Sequence, residues 1–175
     1  MKFCSSCGHT IEVKVPPGDH LPRHTCPACG IIHYQNPRII AGCLPVWEDR
    51  ILICRRAIEP RHGFWTLPAG FMENNETVAQ GAAREAQEEA LADVEIGSLL
   101  AVVNVLHTHQ VHMMFRARLR NLDFGVGPES LEVKLVREHE IPWQELAFQS
   151  IHFSLQRFLE DRAAGRELLH MHTLP

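Results

Sequence analysis

The sequence predicts a mixed α/β domain over residues 37–175, preceded by a small metal-stapled module at residues 1–36. Three observations predict it. From Arg38 onward, apolar runs of strand length are interspersed with two amphipathic helical stretches. Before that point the chain is rich in Cys, His, Pro and Gly and has no apolar periodicity. Such a segment buries too little apolar surface to offset the entropy of ordering, so it needs a metal or stays loose. Finally, 175 residues with 45% hydrophobic and 22% charged side chains suit one main domain with its own core.

In chain order, the first feature is a pair of Cys-x-x-Cys knuckles. Cys4-Ser5-Ser6-Cys7 and Cys26-Pro27-Ala28-Cys29 are separated by 18 residues, and Gly8 or Gly30 follows each. Two such pairs at that distance form a zinc-ribbon pattern, in which four thiolates close a tetrahedral Zn²⁺ site. The glycine permits the tight turn that wraps backbone N–H groups around sulfur. The alternative, a redox or disulfide pair, lacks support in a chain read as intracellular. His9, His20, His24 and His33 lie in or near the module and could replace a ligand, though four cysteines already suffice. Tyr34-Gln35-Asn36-Pro37 reads as the junction.

Ile39 to Trp47 is a near-continuous apolar run and reads as a buried strand. Glu48-Asp49-Arg50 turns it into a second, Ile51 to Arg55. Phe64 to Pro68 is a short extended piece. Val94 to Leu106 and Val111 to Leu119 are two further strands, joined across His107-Thr108-His109-Gln110, and Glu132 to Val136 is the last. One helix spans Thr77 to about Leu91, with Thr77 and Gln80 forming a capping box that satisfies the first orphan N–H groups. The other spans Ile151 to Ala164. Its Ile151, Leu155, Phe158 and Leu159 follow helical spacing, and Gly165 supplies the C-cap.

The first helix carries the most informative residues. Glu85, Glu88 and Glu89 stand at i, i+3 and i+4, which puts three carboxylates on one face. Like charges at that spacing repel by only about 0.2–0.5 kcal/mol per pair on an exposed helix. By themselves the three fit a solvated acidic face as well as a metal site. The surrounding residues add the constraint. Gly70 precedes Glu76 by six positions, and Glu76 precedes Arg84 by eight.

The stretch Gly70-x5-Glu76-x7-Arg84-Glu85-Ala86-x-Glu88-Glu89 resembles the signature of the Nudix hydrolases. The resemblance implies an α/β/α sandwich with a mixed sheet between helices. It implies that Glu85, Glu88 and Glu89 ligate Mg²⁺ or Mn²⁺, helped by the Gly70 carbonyl, and that Arg84 pairs with Glu76. A hard cation shared between carboxylates and substrate phosphates suits these oxygen donors. The general base is either one of the helix glutamates or a later residue, with Glu129 and Glu132 as candidates. The ordinary reading of that later pair is loop and strand-edge charge. The chain departs from the signature at one place, where Leu91 stands for the family's helix-closing Gly. A left-handed residue with a Cβ costs about 1–2 kcal/mol. The helix is therefore expected to run on and end near Ala92-Asp93.

Further candidates surround this segment. Arg55 and Arg56 end the second strand and could reach a phosphate, or be plain strand-end charges. Trp65 and Phe71 flank the Gly70 loop and could stack on a base, or belong to the core. His107, His109 and His112 read as surface histidines of a hairpin turn. Tyr34 to Pro37, Arg55 to Pro60, Trp65 to Phe71, Gly127 to Ser130 and Ala147 to Ile151 resemble a zinc-ribbon Nudix subgroup of ADP-ribose or FAD diphosphatases. NADH diphosphatases carry a Ser-Gln-Pro-Trp-Pro-Phe-Pro array after the acidic helix. Here that region reads Gly97-Ser98-Leu99-Leu100-Ala101, which disfavours the NADH reading. A non-catalytic nucleotide sensor is the second functional class, although a sensor need not keep all three carboxylates.

A net charge of −4 argues against a general nucleic-acid surface. No apolar run spans a bilayer, and no leader-like segment follows Met1. The expectation is a soluble cytoplasmic protein with a nucleotide substrate and no membrane partner, with Cys43 and Cys54 as buried thiols. A homodimer is implied by the family alone.

Overall fold

The cysteine-rich segment forms a small antiparallel sheet of three strands: β1 (Glu12–Lys14), β2 (Arg23–Thr25) and β3 (Ile32–His33), in the order β1-β2-β3. The computed structural model describes all residues 1–175, as two units, Met1–Asn36 and Pro37–Pro175. Few side chains in the first unit are buried, and Cys4 and Cys26 are the innermost of them. A module with so little apolar burial depends on what its cysteines hold.

The second unit is built on an eight-stranded sheet. Its strands are β4 (Arg38–Trp47), β5 (Arg50–Arg56), β6 (Trp65–Thr66), β7 (Ala69–Phe71), β8 (Val94–Val105), β9 (Gln110–Leu119), β10 (Ser130–Val136) and β11 (His170–Leu174). The main order is β10-β5-β4-β9-β8-β11. The β4/β9 and β8/β11 pairs are parallel and the others antiparallel, so the sheet is mixed. Helix α1 (Val78–Ala90) packs on one face through Ala82, Ala86 and Ala90, against Ala41, Cys43, Leu52 and Cys54. Helix α2 (Gln149–Ala163) covers the other through Ile151, Leu155 and Leu159, against Leu44, Ile51, Ile53 and Met114. Residues of β5 alternate between these two cores as strand pleating requires. The result is the expected α/β/α sandwich. No helix is long and apolar enough to cross a membrane.

Three details differ from the sequence-based expectation. The β4/β5 hairpin pairs only at Val46↔Ile51 and Trp47↔Arg50. Beyond that the strands diverge, and β6 and β7 fill the gap, with β6 on β5 and β7 on β4. This splay carries the Gly70 segment beneath α1. Second, β11 joins β8 in parallel at the sheet edge. Its sequence has no local partner or hairpin turn to announce it.

Third, α1 does not run on past Ala90. Leu91 takes the left-handed cap conformation, with φ 50° and ψ 27°, in place of a glycine. The reason lies in the loop that follows β9. Gly125 and Gly127 N–H groups donate to the Ala90 and Glu89 carbonyls at 2.8 and 3.1 Å. Ala92 N–H donates to Ala86 O at 3.2 Å. These bonds satisfy the helix's orphan carbonyls and offset the local strain of about 1–2 kcal/mol.

Candidate active site

The site begins with the capping box, which starts α1 at Thr77. Gln80 N–H donates to Thr77 Oγ1 at 3.2 Å, and Thr77 N–H to Gln80 Oε1 at 2.8 Å. That start sets the helical phase, so Glu85 and Glu89 turn toward the sheet while Glu88 stays exposed. Because α1 contacts the sheet through alanines, the helix lies close and the two inner carboxylates meet the β7 segment.

Gly70 is where they meet. A Cβ on Gly70 would fall on the Glu85 carboxyl group, so no other residue leaves that carboxylate its place. Ala69 N–H points at Glu89 Oε2 from 3.4 Å. Arg84 locks the surroundings. Its Nε and Nη2 donate to Glu76 Oε2 and Oε1 at 3.1 and 2.9 Å, and Nη2 also donates to Phe71 O at 3.0 Å. Its Nη1 reaches Glu85 at 2.8 Å and Glu88 at 2.9 Å. Arg84 thus fastens the Gly70 to Glu76 loop to the helix with both faces of its fork.

The electrostatics are unbalanced. Hydrogen bonds from Arg84 hold Glu76 below the usual carboxylate range. Burial raises Glu85, against the opposing pull of Arg84. Burial, then the Glu85 charge, pushes Glu89 up to about 8. Glu129 adds to both shifts, so its carboxylate belongs to the same field. Its position comes from the loop after β9. Glu129 O accepts from Ala57 N–H at 2.8 Å, and a Cβ on Gly127 would collide with Glu88 O. The buried Glu85 and Glu89 carboxylates repel one another and offer the oxygen donors that a hard divalent cation takes.

The other candidates separate clearly. Trp65 is 4% exposed and part of the α2-side core, with the Lys134 ammonium 4.1 Å above its ring. It has no open face for a base, so the stacking expectation is corrected to a core role. Phe71 is 47% exposed, with the Arg38 guanidinium 4.5 Å from its ring centre. Arg55 donates its Nε to Gly63 O at 2.9 Å and braces the loop between β5 and β6. Of the two strand-end arginines, Arg56 is the better placed. It is buried and stacked 5.1 Å from Phe148, with Nε tied to Pro60 O at 3.0 Å, and its charge acts on Glu89. Glu132 pairs across from Arg55 at the strand edge. His112 is no surface residue. It is buried in β9 between Ser150 Oγ (2.9 Å) and Gln110 Oε1 (3.1 Å).

In the first unit, the four cysteine sulfurs lie within 4.8 Å of one another, the one cluster with metal-ligand spacing. Cys4–Cys29, Cys7–Cys26 and Cys7–Cys29 sulfurs are 3.7, 3.5 and 3.6 Å apart. A tetrahedral Zn–S₄ site with bonds of about 2.3 Å has edges of about 3.8 Å, so the set fits zinc. Backbone N–H groups, Ser6 first, draw the Cys4 thiol down to about 5, favouring the thiolate that binds metal.

Known proteins match along both units. A zinc-ribbon family described as Nudix N-terminal matches residues 2–35, and the NUDIX domain family matches residues 36–158. A NUDIX hydrolase from Nitrosomonas europaea, solved by crystallography, is 56% identical, covers 99% of both chains and superposes with a TM-score of 0.96. The NUDIX domain of Shewanella oneidensis NrtR, complexed with ADP ribose, is 18% identical over 74% of this chain and 90% of that one, with a TM-score of 0.61, which shows the fold alone. The NAD-capped RNA hydrolase NudC of Salmonella typhi is 37% identical over 147 residues, 81% of this chain and 53% of its own. NudC of Stutzerimonas stutzeri is 30% identical over 75% of this chain and 46% of its own. The chain spans about half the length of the curated relatives it matches.

Proposed function

The chain belongs to the NUDIX family, and on that premise we propose that it hydrolyses the pyrophosphate bond of a nucleoside diphosphate derivative, ADP-ribose or FAD, releasing AMP. The observation that carries the reading is the meeting of the buried Glu85 and Glu89 carboxylates at the Ala69–Gly70 segment, where burial and mutual repulsion outweigh the pull of Arg56 on Glu89. Glu85, Glu88, Glu89 and the Gly70 carbonyl would hold Mg²⁺ or Mn²⁺. Such a cation would supply charge neutralisation at the diphosphate and a lowered pKa for the attacking water.

The protein's own groups do the rest. Arg84 and Glu76 keep the cradle rigid, and Arg56 orients the phosphates with the guanidinium nitrogens its Pro60 bond leaves free. Phe71, backed by Arg38, offers its exposed ring to a base. Glu129 accepts the proton of the water that attacks phosphorus, and the anhydride oxygen leaves with the second phosphate. ADP-ribose then gives AMP and ribose 5-phosphate, and FAD gives AMP and FMN. The four ribbon cysteines hold Zn²⁺ in a structural role. We place the protein in the cytoplasm, a reducing compartment in which its six cysteines stay free thiols or zinc ligands. Light scattering checks the homodimer the family implies.

A second reading is favoured by the NudC relatives: an NAD-type dinucleotide, free or capping an RNA. The charge of −4 does not exclude an RNA whose cap alone enters the site. A panel of ADP-ribose, FAD, NADH and NAD-capped RNA, each with Mg²⁺ and Mn²⁺, tests both. AMP release from ADP-ribose or FAD supports the first reading, and turnover confined to the NAD compounds supports the second. No turnover on any of them refutes the enzyme. Glu88→Gln should lower turnover on the preferred substrate by about 100-fold or more, about 2.7 kcal/mol of barrier.

A further inference from the structure

The two cysteine knuckles are nearly the same in backbone hydrogen bonding and differ in the side chain that meets a sulfur. Cys4 N–H donates to His9 O at 2.8 Å, and Cys26 N–H to Ile31 O at 2.9 Å. Gly8 and Gly30 N–H groups donate to the Cys4 and Cys26 carbonyls, both at 2.9 Å. Cys4 and Cys26 are the two buried sulfurs, and Cys7 and Cys29 the exposed ones. The asymmetry is His33, whose Nε2 lies 3.3 Å from Cys4 Sγ. His33 sits on β3, and its register with β2 is fixed by the His24↔His33 and Thr25↔Ile32 pairs. The imidazole is therefore held against the sulfur by the sheet and not by a loose loop.

We propose that His33 donates its Nε2–H to the Cys4 thiolate and thereby controls how tightly the ribbon retains zinc. The proposal rests on the reading of the four cysteines as a Zn²⁺ site. Four thiolates on one Zn²⁺ leave a net charge of −2, with no lysine or arginine bonded to any of the sulfurs. Hydrogen bonds to sulfur spread that charge and orient the ligand toward the metal. Backbone donors serve both knuckles, so the side-chain donor decides which of the two buried ligands is held harder. Loss of His33 removes the side-chain hold on Cys4, and the strand-borne position of His33 couples zinc retention to the integrity of the small sheet.

The test uses the full-length, zinc-loaded protein at one fixed pH and follows zinc transfer to excess chromogenic chelator. Elemental analysis first establishes zinc content. His33→Phe keeps a ring of similar size without a donor, and should bind zinc yet release it on the order of 10–100-fold faster than the unaltered chain. His33→Gln restores an N–H donor and should bring the rate back toward the original. Equal release from His33→Phe and the unaltered chain overturns the proposal. So does His33→Gln releasing as fast as His33→Phe, since packing and not donation would then be responsible. An unaltered chain purified without zinc removes the four-cysteine reading, and the role of His33 with it. Diphosphatase activity is not the readout, so the outcome stands apart from the substrate assignment.

Discussion

Gly70 and Leu91 show opposite uses of the glycine rule. Gly70 has no positive φ, and its need for hydrogen is spatial because the Glu85 carboxylate occupies the Cβ position. Gly70→Ala should displace Glu85 and cut turnover by about 100-fold, with a smaller effect on the unfolding midpoint, since Glu85 can swing outward. Turnover retained within a few-fold would show that the cradle tolerates a Cβ. Leu91 has the conformation of a glycine and the wrong residue for it. Leu91→Gly removes about 1–2 kcal/mol of strain and adds about 0.5–1 kcal/mol of unfolded-state freedom. A net stabilisation of at most about 1.5 kcal/mol is expected in denaturant titration, with activity unchanged; a loss of stability would show that the half-exposed leucine side chain packs more usefully than it looks. The importance of the Gly at position 70 was implied by the resemblance to the Nudix signature. The conformation of Leu91 could not, because it depends on carbonyl partners from the loop that holds Gly125 and Gly127.

The active-site elements are α1, the splayed β6–β7 segment and the loop before β10. Their mutual fit is set by small residues. The alanine face of α1 allows close approach, and Gly127 lets the following loop press on the helix end at Glu88 O. Gly127→Ala should push that loop away, costing about 1–3 kcal/mol of stability and lowering turnover as Glu129 withdraws. Glu129→Gln separates the two effects. It should leave stability nearly unchanged and lower turnover alone; full activity would assign the proton to a helix glutamate. The capping box and the acidic face were legible because both are local, repeating within one helical turn. Arg56 and Arg55 were not distinguishable in sequence, being adjacent strand-end arginines. Only the β5–β6 loop, which takes Arg55 for Gly63 O, and the stacking of Arg56 on Phe148 tell them apart. Trp65 misled for a similar reason, since an aromatic beside a glycine loop faces outward or inward according to strand pleat.

Across the second unit, Asp161 joins elements distant in sequence. It is buried at the end of α2, pairs with Arg116 of β9 and with Arg166, and accepts from His170 of β11 and the Leu168 N–H. Burial raises its pKa, but the Leu168 N–H and His170 outweigh that and hold it at about 2. Asp161→Asn should cost about 3–5 kcal/mol, because Arg116 would be left buried without a counter-charge. His112 gives a separate pH signature. Gln110 Oε1 assigns the proton to Nε2, leaving Nδ1 to accept from the Ser150 hydroxyl. Burial pushes the ring down to about 4 from an ordinary value of 6.5. The unfolded chain binds the extra proton first, so this contribution is intact above about 6.5 and is lost as pH falls toward 4. The Asp161 contribution is intact above 3.8 and is lost only between there and about 2. His112→Gln should flatten the stability curve between pH 6.5 and 4 and leave the lower window untouched. An unchanged slope in the upper window would show that other groups set it.

By itself the sequence determined the two-unit plan, the four-cysteine knuckles, the capped acidic helix and most strands, since each depends on neighbours a few residues apart or on fixed spacing. Tertiary structure decided the rest. It split the β4/β5 hairpin around Gly70, added β11 beside β8, ended α1 at Leu91 and brought the charges of Arg56 and Glu129 into the field of Glu89. Each of these outcomes is set by hydrogen bonds or charges between segments far apart in the chain, and such partners leave no periodicity in either segment alone.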